Sequence, residues 1–157
     1  MQGFISYSHE NYDECVRLHT HLKALKAEHG IEFWWDDRIR AGDHWSEAIA
    51  KAIDASDLFI LAASPDFIAS NYIWNVELPA IAARRTSGAL ILPVVLHRCA
   101  WQIIAGALQA VPTIDGRLKP VHKWRPADDG YDQAREQIGI AVSAAFKLAS
   151  KSAIGGP

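Results

Sequence analysis

Short apolar runs of strand length recur along the chain, each followed by a stretch whose apolar residues return at helical spacing. That alternation predicts βαβ units and a parallel sheet. The first run, Gly3 to Tyr7, leads into a helix from about Asn11 to His29, where Cys15, Leu18, Leu22 and Leu25 form one apolar stripe and Gly30 supplies the stop. A second strand, Ile31 to Trp35, gives way to a polar, Gly-containing loop, Asp36 to His44, and then to a helix from Trp45 or Ser46 to about Ala55. The third run, Asp57 to Ala63, is apolar almost throughout, as a central strand covered on both faces must be. Ser64-Pro65 then offers an N-cap and a first-turn proline for a helical region reaching about Arg85.

The fourth strand is Ala89 to Leu96. Beyond it the pattern weakens to a short irregular helix, Cys99 to Gln109, and a short edge strand, Val121 to Trp124. A final helix from Tyr131 to about Leu148 carries Ala134, Ile138, Ala141, Val142 and Ala145 at helical spacing. The expected organisation is one domain, residues 1–149, with a small-residue, mobile tail at 150–157 that would link to any further domain. Five strands with interleaved helices predict an α/β fold: a flavodoxin-like, doubly wound, five-stranded parallel sheet of order 2-1-3-4-5 with helices on both faces. Its ligand crevice falls at the carboxyl ends of strands one and three, where strand order reverses. Ser6 to Glu10, Ala63 to Asp66 and the helix after strand three would line it.

Composition narrows the partners. The 157 residues are half apolar and 22% charged, with a net charge of −2, the balance of a globular domain. Sixteen basic residues against eighteen acidic, with no basic run longer than Arg84-Arg85, leave no footprint for nucleic acid. Cys15 and Cys99 share no metal or redox spacing, which points to a reducing compartment. No leader is legible at Met1, and no apolar stretch approaches the roughly 20 residues of a membrane helix. A cytoplasmic protein without membrane contact is expected. Six Trp outnumber five Phe and four Tyr, and most sit beside loops or element ends.

Several chemistries fail on inspection. There is no GxGxxG after a strand, no GxxxxGK[ST] and no GxSxG. Strands one and three end in Tyr7-Ser8 and Ala63-Ser64, where a phosphoacceptor site would need Asp. The seven His show no ligand spacing, so no metal is expected; His9, just past strand one, is the one placed at the crevice mouth. One carboxylate stands out. Ser70, Trp74, Glu77 and Ile81 fall on one face of a regular helix, so Glu77 would sit in an apolar stripe that raises its pKa. Pro79 would bend that helix beside it. The plainer reading is a boundary glutamate reaching for solvent, with Ser70 an N-cap.

Taken in order, Phe4-Ile5-Ser6-Tyr7-Ser8, Trp35-Asp36-Asp37, Gly42-Asp43-His44-Trp45, Ala55 to Phe67, Ser70 to Glu77, Ile91-Leu92-Pro93-Val94 and Gly116 to Trp124 resemble a bacterial Toll/interleukin-receptor (TIR) domain over about residues 1 to 148. The resemblance implies one of two roles. Many bacterial TIR domains cleave NAD at the nicotinamide-ribose bond, giving ADP-ribose or a cyclised variant, often in antiphage defence; others only self-associate. NAD would be the substrate, with no further cofactor. The family's catalytic glutamate matches Glu77, and some enzymatic members carry an aromatic four residues before it, where this chain has Ile73 between Tyr72 and Trp74. For such a substrate, Trp45 and Trp74 are the aromatic candidates to hold the nicotinamide, Ser8 and His9, at the crevice mouth, are candidates to meet the pyrophosphate, and Ser70 shares the expected face of Glu77. The loop containing Asp37, Arg38, Arg40, Gly42 and Asp43 resembles the family's BB loop, which mediates assembly. Other TIR domains, and a sensor domain or protein, are the implied partners.

Overall fold

A computed structural model describes residues 1–36 and 45–154. Asp37, Arg38, Arg40, Gly42 and Asp43, the expected assembly residues, lie outside the described residues, as does the Trp45 side chain. Four parallel strands form the sheet: β1 (Gln2–Ser6), β2 (Glu32–Trp34), β3 (Leu58–Ala63) and β4 (Leu90–Val95), in the order β2-β1-β3-β4. Phe4 pairs with Trp34 on one side and Phe59 on the other, and Ile60 with Leu92.

The alternation of side chains along β1 and β3 builds two cores. Ile5, Leu58, Ile60 and Ala62 point into one, packed by α1 (Tyr12–Leu22), α2 (Ala24–His29) and α7 (Ala127–Ile154). Phe4, Phe59 and Leu61 point into the other, covered by α3 (Trp45–Asp54), α4 (Pro65–Ala69) and α5 (Leu78–Thr86). Every residue of β3 is buried, which is why its sequence lacks polar alternation.

Four boundaries depart from the sequence pattern. The first helix breaks at Lys23 into α1 and α2; α2 stops at Gly30, whose φ of 66° lets its N–H reach the Lys26 carbonyl while Ile31 bonds Leu25. α6 (Gln102–Ala105) is a single turn. α7 runs through Ile154, so Ser150 to Ile154, expected as mobile tail, are helical. The expected fifth strand at Val121 to Trp124 is a 3-10 turn, Val121–Lys123.

At the outer edge of β4 there is instead one parallel bridge. Val111 donates its N–H to the Pro93 carbonyl and accepts from Val95, both at 2.9 Å. Pro112 has no N–H, so the ladder stops there. The chain turns into a small antiparallel hairpin of β5 (Thr113–Ile114) and β6 (Arg117–Leu118), whose turn residues Asp115 and Gly116 both have positive φ.

Candidate active-site cleft

From β1 the chain crosses to β2 on one side, and β3 lies on the other, so the carboxyl ends of β1 and β3 diverge and leave a crevice. The cleft there measures about 180 Å³. Tyr7, Ser8, His9 and Glu10 form one wall; Ser70, Tyr72, Ile73 and Glu77 form the other.

Each wall follows from its local sequence. The Ser8 hydroxyl accepts the Glu10 N–H at 3.4 Å and opens a 3-10 turn, His9–Asn11, that carries the chain over the end of β1. On the facing wall α4 ends at Ser70, whose extended backbone breaks the helix and whose hydroxyl accepts the Ile73 N–H at 3.3 Å. Helix resumes and widens into a π turn, Ile73–Glu77, in which the Leu78 N–H bonds the Ile73 carbonyl five residues back. Pro79 has no N–H to give the Asn75 carbonyl, so a regular ladder is interrupted at this point.

The π turn re-sorts the face expected from helical spacing. Glu77 is only 6% exposed and Ile73 and Ile81 are buried, whereas Trp74 is 37% exposed and does not line the cleft. Its indole N–H donates to the Ile68 carbonyl at 2.7 Å instead. The aromatic wall is Tyr72, five residues before Glu77. An i, i+5 pair is adjacent across a π turn and not across an α turn.

Burial pushes the Glu77 carboxyl up to about 7 from its ordinary 4.5, the charge of Asp36 adds to the rise, and the Ser6 hydroxyl opposes it. Ser6 itself is fully buried at the end of β1, and its oxygen makes no hydrogen bond of regular geometry; it lies near enough to favour the ionised carboxyl. The Tyr72 phenol is raised by burial and by the charges of Glu77 and Asp36.

Asp36 is held at the end of the sheet by the other wall. His9 Nε2 lies 3.0 Å from Asp36 Oδ2, and the Tyr7 hydroxyl donates to the Asp36 carbonyl. Preceding it, Trp35 stacks against Tyr12 and His19 and tilts against Tyr7. The expected crevice wall at Ala63 to Asp66 is absent from the cleft lining. Ser64 is fully buried and committed, accepting the Phe67 N–H at 3.0 Å and donating to Asn11 Oδ1 at 2.5 Å.

The remaining Trp largely pack. Trp34 stacks on Phe4 at 5.3 Å, Trp101 joins a small cluster with Ala63 and Val95, and Trp124 donates to the Lys119 carbonyl beneath the Lys119 ammonium. Among the described residues no three His, Cys, Asp or Glu side chains converge to hold a metal ion, and no helix is long and apolar enough to cross a membrane. Of the expected site residues the cleft brings together Ser8, His9, Ser70 and Glu77, and not Trp74. Tyr7 and Glu10 fall in the stretch Ser6 to Glu10 expected to line the crevice, whereas Asp36 carries no sequence signal of its own; the signal for Tyr72 is an aromatic at that spacing together with Pro79.

A family model described as a TIR domain matches residues 4–138. The chain is also 36% identical over 149 residues to the uncharacterized protein y4lF of Sinorhizobium fredii, a match covering 94% of this chain and 45% of that protein. It thus spans less than half the length of the curated relative.

Proposed function

The chain belongs to the TIR domain family, and from that premise we propose that it cleaves the nicotinamide-ribose bond of NAD, with Glu77 as the reacting carboxylate. The observation that carries this reading is a glutamate buried in an apolar wall of the switch-point cleft, its carboxyl pushed up to about 7. Such a group is costly to keep and is concentrated at sites of chemistry.

The reaction asks little more of the protein. An ordinary glycosidase needs a second carboxyl to protonate a poor leaving group. Nicotinamide is a cationic pyridinium in the substrate and departs neutral, taking the bonding electron pair with it, so no proton need be delivered. The burden is to orient the ribose and to stabilise the positive charge that grows on it. Ionised Glu77 does both, accepting hydrogen bonds from the ribose diol and strengthening them as the ring becomes oxocarbenium-like. Tyr72 and Ile73 offer an apolar and aromatic wall for the pyridinium, and Ser8 and Ser70 line the same cleft. Water, or an atom of the same substrate, then takes the ribose carbon, giving ADP-ribose or a cyclic product.

The test is to incubate concentrated protein with NAD and follow nicotinamide release. Glu77→Gln keeps the shape and removes the charge, and turnover should fall by about a thousandfold, the scale of losing a principal electrostatic stabiliser. Equal release by the variant, or an inert wild type even when crowded on a surface, would sink the reading. In that second case the family's other role, homotypic assembly through the loop that begins at Asp36, is the function left standing.

A further inference from the structure

The last helix keeps a second face that the core does not use. Along α7, Ala134, Ile138 and Val142 turn inward at helical spacing and are buried. Ile140 lies about half a turn around the helix from them and is 63% exposed. Beside it a trough of about 490 Å³ runs between the end of α2 and the middle of α7. Its floor includes Gly139, where a Cβ would come within 3.0 Å of His29 Nε2, and one lip is the ion pair of Arg135 with Glu28 at 3.1 Å. Ser143 and Ala144 continue the floor, and Glu136 and Lys147 stand toward its two ends along α7. Among the described residues, neither Glu136 nor Lys147 enters an ion pair.

We propose that this face docks a second copy of the chain, α7 against α7 in an antiparallel, two-fold pair. Glu136, Ile140, Ser143 and Lys147 follow one another at i, i+4, i+7 and i+11, the spacing of a helix-packing seam. Turning the helix end for end exchanges Glu136 with Lys147 and Ile140 with Ser143. A two-fold axis midway between Ile140 and Ser143 therefore brings both pairs of opposite charge together at once, and each Ile140 falls over the Gly139, Ser143 and Ala144 floor of the other copy. Parallel pairing would set Glu136 beside Glu136 and Lys147 beside Lys147, so charge selects the antiparallel form. A single helix pair stays below the roughly 1,000 Å² of a stable interface, so the contact is weak and forms where chains are concentrated. The face shares no residue with the cleft and does not depend on the reading of Glu77.

The experiment is sedimentation equilibrium of the whole chain from about micromolar to about millimolar concentration. Wild type should pass from monomer to dimer across that range, and Ile140→Asp should stay monomeric. Glu136→Lys alone sets two like-charged pairs across the axis, as does Lys147→Glu alone, and each should raise the dissociation constant at least about fivefold. Mixed in equal amounts, the two variants should pair with each other as tightly as wild type, since every contact is again between opposite charges. All three positions are exposed, so the fold is retained, which circular dichroism checks. A wild type that is monomeric throughout, association that Ile140→Asp leaves unchanged, or a mixture that fails to recover pairing would each overturn the proposal. The readout is mass and not nicotinamide release, so its failure leaves the test of Glu77 untouched, and the reverse holds equally.

Discussion

A carboxyl held near neutrality by burial is a liability to the fold, and Glu77 makes that liability measurable. Its folded value is about 7 against an ordinary 4.5, so between those limits the native state keeps a proton that the unfolded chain has released. Stability contributed by the protonated form is full below about pH 4.5 and falls away as pH rises toward 7. At 1.4 kcal/mol per unit the loss approaches roughly 3 kcal/mol. Glu77→Gln carries no charge at any pH, so the variant should melt above the wild type at pH 8 and close to it at pH 4. Thermal unfolding at the two pH values checks this; equal melting at pH 8 would mean that Glu77 is solvated when ionised. Gain of stability with loss of turnover is the pattern of a group retained for chemistry and not for folding.

Among the elements, α4 shows how the cleft is held open. Directly after β3 comes Ser64, whose hydroxyl caps α4 through Phe67 and also bonds Asn11, whose amide in turn donates to Glu14 of α1 at 3.0 Å. This buried chain joins the segment after β1 to the segment after β3, the two that flank the cleft. Ser64→Ala removes the cap and leaves Asn11 Oδ1 buried without its donor, so urea unfolding should report a loss of about 2 kcal/mol. A loss within error would place water or a shifted Asn11 in the gap. The sheet itself was legible because β3 and β4 are apolar runs too short for helices, and Gly30 marked a helix end by its need for positive φ. The π turn was not, since a periodicity of 3.6 assigns Trp74 to the face that the extra residue gives to Tyr72. The last strand was misplaced for a related reason. Pro112 limits Val111 to a single bridge, too short to show a pattern, while Asp115-Gly116 between Ile114 and Arg117 carried a hairpin signal that the weak flanking residues concealed.

Taken whole, the molecule presents a cleft matched to part of its proposed substrate. About 180 Å³ holds a ring and part of a sugar, short of the roughly 300 Å³ or more that a larger ligand ordinarily occupies. On the proposed reading the remaining grip would come either from elsewhere in the same chain or from a neighbouring copy. The two sources differ in how rate depends on concentration. If a neighbour completes the site, turnover per chain rises as chains are brought together, and a chain that cannot react still helps one that can. Glu77→Gln retains every surface while lacking the reacting carboxylate, which makes it the suitable helper. Adding it in excess to a fixed, dilute amount of wild type, with both tethered to vesicles to raise local concentration toward about millimolar, should increase nicotinamide release per wild-type chain at least about tenfold. Unchanged release would assign the completed site to one chain. Release that falls would mean that the helper occupies the assembly without contributing a wall to its neighbour's cleft.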